Sequence, residues 1–172
     1  MLNEKMVEAL NTQLKWELYS AYLYMSMSAH STHIGLKGFA NWFMVQYQEE
    51  MTHAMKFYDY INSHGGKVRL QGIDQPETEF NTPIEMFEKT LVHEQSVTKL
   101  IHQLVDLAIE EKDHATNIFL QWFVTEQVEE ESNANEILAQ LKLMGAEGNA
   151  LFMIDKELAT RVFVPPTASP GA

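Results

Sequence analysis

The amino-acid sequence predicts an all-α fold: a four-helix bundle with one long crossover and a short fifth C-terminal helix. Two observations carry this. Apolar residues recur at helical spacing along four long segments, with no alternating strand pattern between them. A stretch from Lys67 to Asn81, with Gly72 and Pro76, separates the second and third segments and lacks any period. Such a connection is too long for a tight turn between antiparallel neighbours and suits a crossover along the full bundle. The chain has 172 residues, 45% of them apolar, which fits one domain with a sizeable core and not a disordered chain.

The first helix is predicted from about Glu4 to His33, where Met6, Leu10, Leu14, Leu18 and Met25 mark its pattern and Gly35 its end. The second runs from about Leu36 to His64 and stops at Gly65-Gly66, because glycine takes the left-handed conformation that closes helices. Thr82-Pro83-Ile84-Glu85 opens the third: Thr82 caps, Pro83 fits the first helical position and Glu85 completes a capping box. That helix continues to about Lys112. Asp113 is the expected N-cap of a fourth, which ends near Gly145. A fifth covers about Asn149 to Thr160. Residues 1–162 then form the bundle, and 163–172, with Pro165-Pro166, a flexible C-terminal tail.

Composition excludes several functions. A net charge of −12 opposes binding to nucleic acid, whose phosphates need a basic surface, and favours cations. The absence of cysteine removes disulfides and thiolate metal sites. The opening MLNEKMVEAL does not read as a signal peptide, and no segment approaches the ~20 apolar residues of a membrane span. The expected location is the cytoplasm.

The chemistry centres on Glu50 and His53. Three residues apart on a helix, they share one face and suit a metal such as iron. On its own this spacing also describes an ordinary surface pair. Three further segments supply partners: Glu17, Glu94 and the run Glu126 to Glu130. Counted at helical rise, Glu17, Glu50, Glu94 and Gln127 each lie roughly 16–20 Å from their helix starts, near the middle of helices roughly 42–47 Å long, so side-by-side packing brings them to one level whichever way the helices run. Glu17 sits among Leu14 and Leu18, and Glu94 between Leu91 and Val97. A carboxylate in such surroundings is costly unless paired or metal-bound. Bundles that hold two metals take one Glu from each of two helices and a Glu-x-x-His from each of the others. Glu17 and Glu94 fit the single positions and Glu50 with His53 the first pair, whereas Gln127-x-x-Glu130 stands where the second pair would be. The expected site is therefore asymmetric. One metal has an imidazole; the other depends on carboxylates, chiefly Glu50 and Glu94 with Glu130 as an addition, and is more labile.

The segments LNTQLKWELYSAYLYMSM, QEEMTHAMKFYDYINSHGG, HEQSVTKLIHQL, FLQWFVTEQVEEE and FMIDKEL closely resemble the ferritins, specifically prokaryotic non-haem ferritins, over about Met1 to Thr160. That resemblance implies a cage of 24 identical subunits that oxidises Fe(II) and stores a ferric mineral, with O2 or H2O2 as oxidant. It implies Glu17, Glu50 and His53 as ligands of the first iron, and Glu50 and Glu94 of the second, with Glu50 bridging. Gln127 becomes a polar neighbour of the pair. Glu49, Glu126, Glu129 and Glu130 become a third iron site, although a solvated acidic face explains that run as well. Tyr24 and Trp122 become aromatic residues near the centre that can donate electrons.

Rival readings remain at this level. A ferritin-like di-iron oxidase or peroxidase without storage uses the same ligands. A haem-binding, bacterioferritin-like protein needs a methionine directly after the bridging glutamate; Met51 stands there, but the second Glu-x-x-His is missing, so haem is not expected. A helical interaction protein needs no buried acids at one level. His30, His33, His64, His93, His102 and His114 have no comparable constellation and are expected mainly at the surface.

Overall fold

The computed structural model describes residues 1–145 and 147–165. It contains α1 (Glu4–His33), α2 (Lys37–Ser63), α3 (Pro83–Glu110), α4 (His114–Met144) and α5 (Gly148–Leu158), with no strand among the described residues. The expected tail falls largely on residues 166–172, which lie outside the described residues.

Local chemistry sets the helix ends. Asn3 caps α1 by accepting the Met6 amide at 2.8 Å, Thr82 caps α3 by accepting that of Glu85 at 3.1 Å, and Asp113 caps α4 by accepting that of Thr116 at 3.1 Å. At the other ends, Gly35 (φ 84°) and Gly65 (φ 76°) take left-handed conformations that reverse the chain after α1 and α2. The same reversal after α3 falls on Lys112 (φ 55°), where the Asp113 amide reaches back to the Ala108 carbonyl at 2.8 Å. That residue ends α3 slightly earlier than the apolar pattern alone suggests.

The crossover climbs along α1. Asn11 pins its start, donating to the Lys67 carbonyl at 3.0 Å and accepting the Arg69 amide at 2.6 Å. Further up, Ser26 donates to the Glu77 carbonyl at 2.7 Å, and Phe80 packs edge-on against His30 with ring centroids 5.3 Å apart. The chain thus passes from the N-terminal end of α1 to its C-terminal end before α3 begins. α3 then returns, and its last turn meets the first turn of α1 through Lys5 and Glu111 at 2.8 Å. The order is up, down, down, up: α1 packs on α2, α3 on α4, and α1 on α3, while α5 folds back against α2 and α4.

Two apolar cores fill the bundle. One contains Leu23, Tyr24, Met27, Phe39, Phe43, Phe87 and Leu141; the other contains Leu10, Leu14, Phe57, Val97, Ile101, Leu120 and Phe123. On every long helix the boundary between them is polar. Glu17 lies between Leu14 and Leu23, Glu50 and His53 between Phe43 and Ala54, Glu94 between Phe87 and Val97, and Gln127 and Glu130 between Phe123 and Ile137.

Candidate metal centre

That polar layer is almost fully shielded from solvent. Glu17, Glu50, His53, Glu94, Gln127 and Glu130 are all buried, none more than 5% exposed. Water cannot solvate these charges, so whatever satisfies them must come from the bundle or from a bound cation.

His53 is the pivot. Its Nδ1 lies 3.4 Å from Glu50 Oε2 and 3.9 Å from Glu17 Oε2, and its Nε2 lies 3.8 Å from Glu126 Oε1. Two groups of potential ligand atoms follow. One atom each from Glu17, Glu50 and His53 fall within 4.8 Å of one another, and so do atoms from His53, Glu126 and Glu130. Imidazole nitrogen with carboxylate oxygen is a donor set that iron accepts.

Glu94 stands beside the first group, held by other partners. The Tyr24 hydroxyl donates a hydrogen bond to Glu94 Oε1, and Gln127 Nε2 donates to Glu94 Oε2 at 3.2 Å. Tyr24 itself is fully buried and stacks on Phe43. The acidic run on α4 is divided by the helical turn: Gln127 and Glu130 face inward, Glu126 is partly buried and Glu129 is exposed. Glu49 is partly buried and pairs with Arg161 at 2.6 Å. Trp122 meets the His53 ring edge-on at 5.4 Å and carries Lys56 Nζ 4.2 Å from its ring centre. Met51 is partly buried on α2.

Electrostatics match this crowding. Burial pushes the Glu17 carboxyl above its ordinary range, against the pull of the His53 charge and the Gln13 hydrogen bond. Burial raises Glu50 well above its ordinary value, with the Glu94 charge adding to the effect. Burial and the Glu94 charge push Glu130 up to about 8. Burial also raises Glu49, opposed by the Arg161 guanidinium. For His53, burial favours the neutral ring, but hydrogen bonds to Glu126 and Glu50 override it and hold the imidazole well above its ordinary value. Burial and the charges of Glu94 and Glu50 keep the Tyr24 hydroxyl protonated far into the alkaline range. The cation-free cluster therefore retains protons, and divalent cations are the natural replacement.

Several contributors escaped the sequence reading. Gln13 donates to Glu17 at 2.8 Å, and Gln46 donates to Glu130 at 2.5 Å. Each stands four residues before a buried glutamate, Glu17 and Glu50, so a polar residue one turn upstream on the same face was the available signal. Three histidines depart from the expected surface placement, one of them His64, which is partly buried and stacks on the Tyr60 ring. His30 is buried because the crossover lays Phe80 on it. His93 is partly buried because the packing of α1 on α3 brings it to Ser20, at 2.8 Å, and beside the ring of Tyr24. His33, His102 and His114 are exposed.

A family model described as Ferritin-like domain matches residues 7–144. A bacterial non-heme ferritin of Staphylococcus saprophyticus is 43% identical over 163 residues, covering 95% of this chain and 98% of its own length. One from Staphylococcus aureus is 39% identical over the same extent. Among solved structures, the chain is 51% identical to a closed form of the Archaeoglobus fulgidus ferritin engineered by site-directed mutagenesis, with a TM-score of 0.94 over 95% of this chain and all of that one. It is equally similar in sequence to an open pore ferritin of the same hyperthermophilic archaeon, with a TM-score of 0.92 over 94% of this chain and all of that one.

Proposed function

The chain belongs to the ferritin family, and from that premise we propose that it is an iron-storage protein of the cytoplasm. It oxidises Fe(II) within each subunit and keeps the ferric product inside a cage of, we infer, 24 identical subunits. The observation that carries the reading is the register of buried carboxylates and imidazole that interrupts the apolar core at one level on all four long helices. A bundle without cations gains nothing from such a layer, since burying ionisable groups without partners weakens it.

In this reading iron is the substrate. Glu17, Glu50 and His53 receive the first Fe(II), and Glu50 with Glu94 the second, with Glu130 as an addition. Burial raises the proton affinity of Glu17 and Glu50, and cation entry displaces whatever protons they hold, since a ligating carboxylate must be deprotonated. Two Fe(II) then give up one electron each to O2, which takes two protons and departs as H2O2; peroxide itself can serve as the oxidant of a further pair. Tyr24 and Gln127 hold Glu94 in orientation by donating to its two oxygens, and Gln13 does the same for Glu17. Glu126 and Glu130 on α4, with Glu49 on α2 and the exposed Glu129, form a third position through which ferric ions pass toward the cavity. His53 lies between the first and third positions, with one ring nitrogen toward each.

Aerobic loading with excess Fe(II), followed by size-exclusion chromatography and iron analysis of the protein peak, tests storage. A large assembly carrying far more iron than its ligands can coordinate is the expected result. A ceiling of about two or three irons per chain, the number such a ligand set holds, would assign the protein to non-storing di-iron oxidases instead.

A further inference from the structure

Arg161 follows α5 in the chain, yet its side chain reaches back to α2. The guanidinium stacks over the ring of Trp42 at 4.5 Å, donates through Nη1 to Gln46 Oε1 at 2.8 Å and through Nη2 to Glu49 Oε2 at 2.6 Å. The backbone beneath it is anchored as well, because Asn41 Nδ2 donates to the carbonyls of Leu158 at 3.2 Å and Arg161 at 2.9 Å. Gln46 extends the reach. Its amide oxygen is taken by Arg161, so its Nε2 faces away from the guanidinium and donates to Glu130 Oε2 at 2.5 Å. One cation thus holds two of the four carboxylates of the third iron position: Glu49 directly, and Glu130 through Gln46.

We propose that Arg161 is a latch on the third iron position: its guanidinium competes with the incoming cation for Glu49 and, through Gln46, for Glu130. This rests on the third-position reading given above. A cation fills the position only by releasing Arg161, and with it the segment that follows α5. The pair is poorly screened, since the Arg161 and Glu49 side chains are 21% and 23% exposed. The released guanidinium also remains close enough to repel a bound cation. The third position is therefore the weakest of the three and hands its cation on most readily, which suits a place of transit. Arg161 acts here as a positioning residue, because it touches the ligands and not the iron.

Zn(II) is the probe, being redox-inert and accepting nitrogen and oxygen ligands. Titration calorimetry and equilibrium dialysis on the assembled, iron-free protein count the equivalents bound per chain and their affinities. In Arg161→Gln the third equivalent binds roughly three- to tenfold more tightly than in the wild type, and in Arg161→Lys about two- to threefold, because lysine keeps the charge but cannot hold Gln46 and Glu49 together. Glu129→Gln, on the exposed face of α4, weakens the third equivalent without disturbing the latch. Hydrogen exchange supplies a readout that a mere clamp would not move: amides of residues 158–162 exchange faster when wild-type protein is loaded with Zn(II). In Arg161→Gln they exchange fast from the outset and do not respond. A third equivalent of unchanged or weakened affinity in both Arg161 variants, with exchange indifferent to Zn(II), overturns the latch and leaves Arg161 as a fastening for α5. No third equivalent in any variant would overturn the third position itself, and the latch with it. Should Arg161→Gln fail to assemble, Arg161→Lys carries both measurements.

Discussion

The Asp155 side chain on α5 accepts the backbone amide of Gly38 at 2.7 Å, and that of Phe39 at 3.1 Å, at the first turn of α2. α2 has no side-chain cap of its own, since Leu36 occupies its N-cap position. A carboxylate from the far end of the chain therefore supplies both the missing acceptor and the negative charge that a helix N-terminus favours. The approach is so close that a Cβ at position 38 would lie 1.6 Å from the Asp155 carbonyl oxygen.

From this, Gly38→Ala is expected to push α5 off the bundle and destabilise the fold by about 1–3 kcal/mol, the usual range for overpacking. Asp155→Ala removes the cap and costs about 1 kcal/mol. Denaturant unfolding of both variants checks the pair. Wild-type stability in Gly38→Ala would show that α5 does not bear on α2 in this way.

Replacing Glu50 or His53 by alanine is expected to abolish rapid Fe(II) oxidation while leaving the bundle folded. Removal of a supporting partner from a metal site commonly costs 10–100-fold, roughly, and loss of a direct ligand costs more. His53→Ala also leaves buried Glu17 and Glu50 without their cationic partner, so the iron-free variant should be less stable than the wild type while remaining folded. Stopped-flow oxidation with circular dichroism on the same samples decides it: rapid oxidation retained in both variants would remove these residues from the site.

Tyr24→Phe deletes the hydrogen bond to Glu94 and little else, for the ring keeps its place against Phe43. Binding of the second Fe(II) should weaken by about tenfold, with the first scarcely affected. Anaerobic Fe(II) titration separates the two steps, and equal weakening of both would point to a disturbance of packing.

Stability of the iron-free protein should fall as pH rises from about 5 to 8. Glu130 keeps its proton up to about 8 in the folded chain, whereas the unfolded chain gives it up near 4.5. Within that window the native state binds more protons than the unfolded state, so each such proton lowers the unfolding free energy by about 1.4 kcal/mol per pH unit. The penalty is absent below 4.5 and fully present above 8. Glu17 and Glu50, also raised by burial, act in the same direction. Glu130→Gln should flatten this dependence in part, and Zn(II) should reverse it by taking the place of the protons. Urea midpoints at pH 5.5 and 8 in a chelator provide the measurement; a midpoint that rises with pH would contradict it.

The chain by itself determined the helices, their order and the level at which acids meet, because each of these is written in local spacing. Thr82-Pro83 starts a helix wherever it stands, Gly65 ends one, and Glu50 with His53 share a face by the pitch of the helix alone. Counting residues from each start placed Glu17, Glu50, Glu94 and Gln127 near mid-helix, and rods of similar length packed side by side share that level whichever way they run. What only the tertiary structure decided are the contacts made when distant segments close on one another. Ser20 meets His93 across 73 residues of chain, and Asp155 meets Gly38 across 117. Arg161 meets Glu49 across 112, and this turns a sequence-predicted iron ligand into half of an ion pair. No periodicity reports on such pairs, because their partners are set by how α5 returns onto α2 and by which face the crossover covers. Those are properties of packing, in which shape and buried area decide and local propensity has no say.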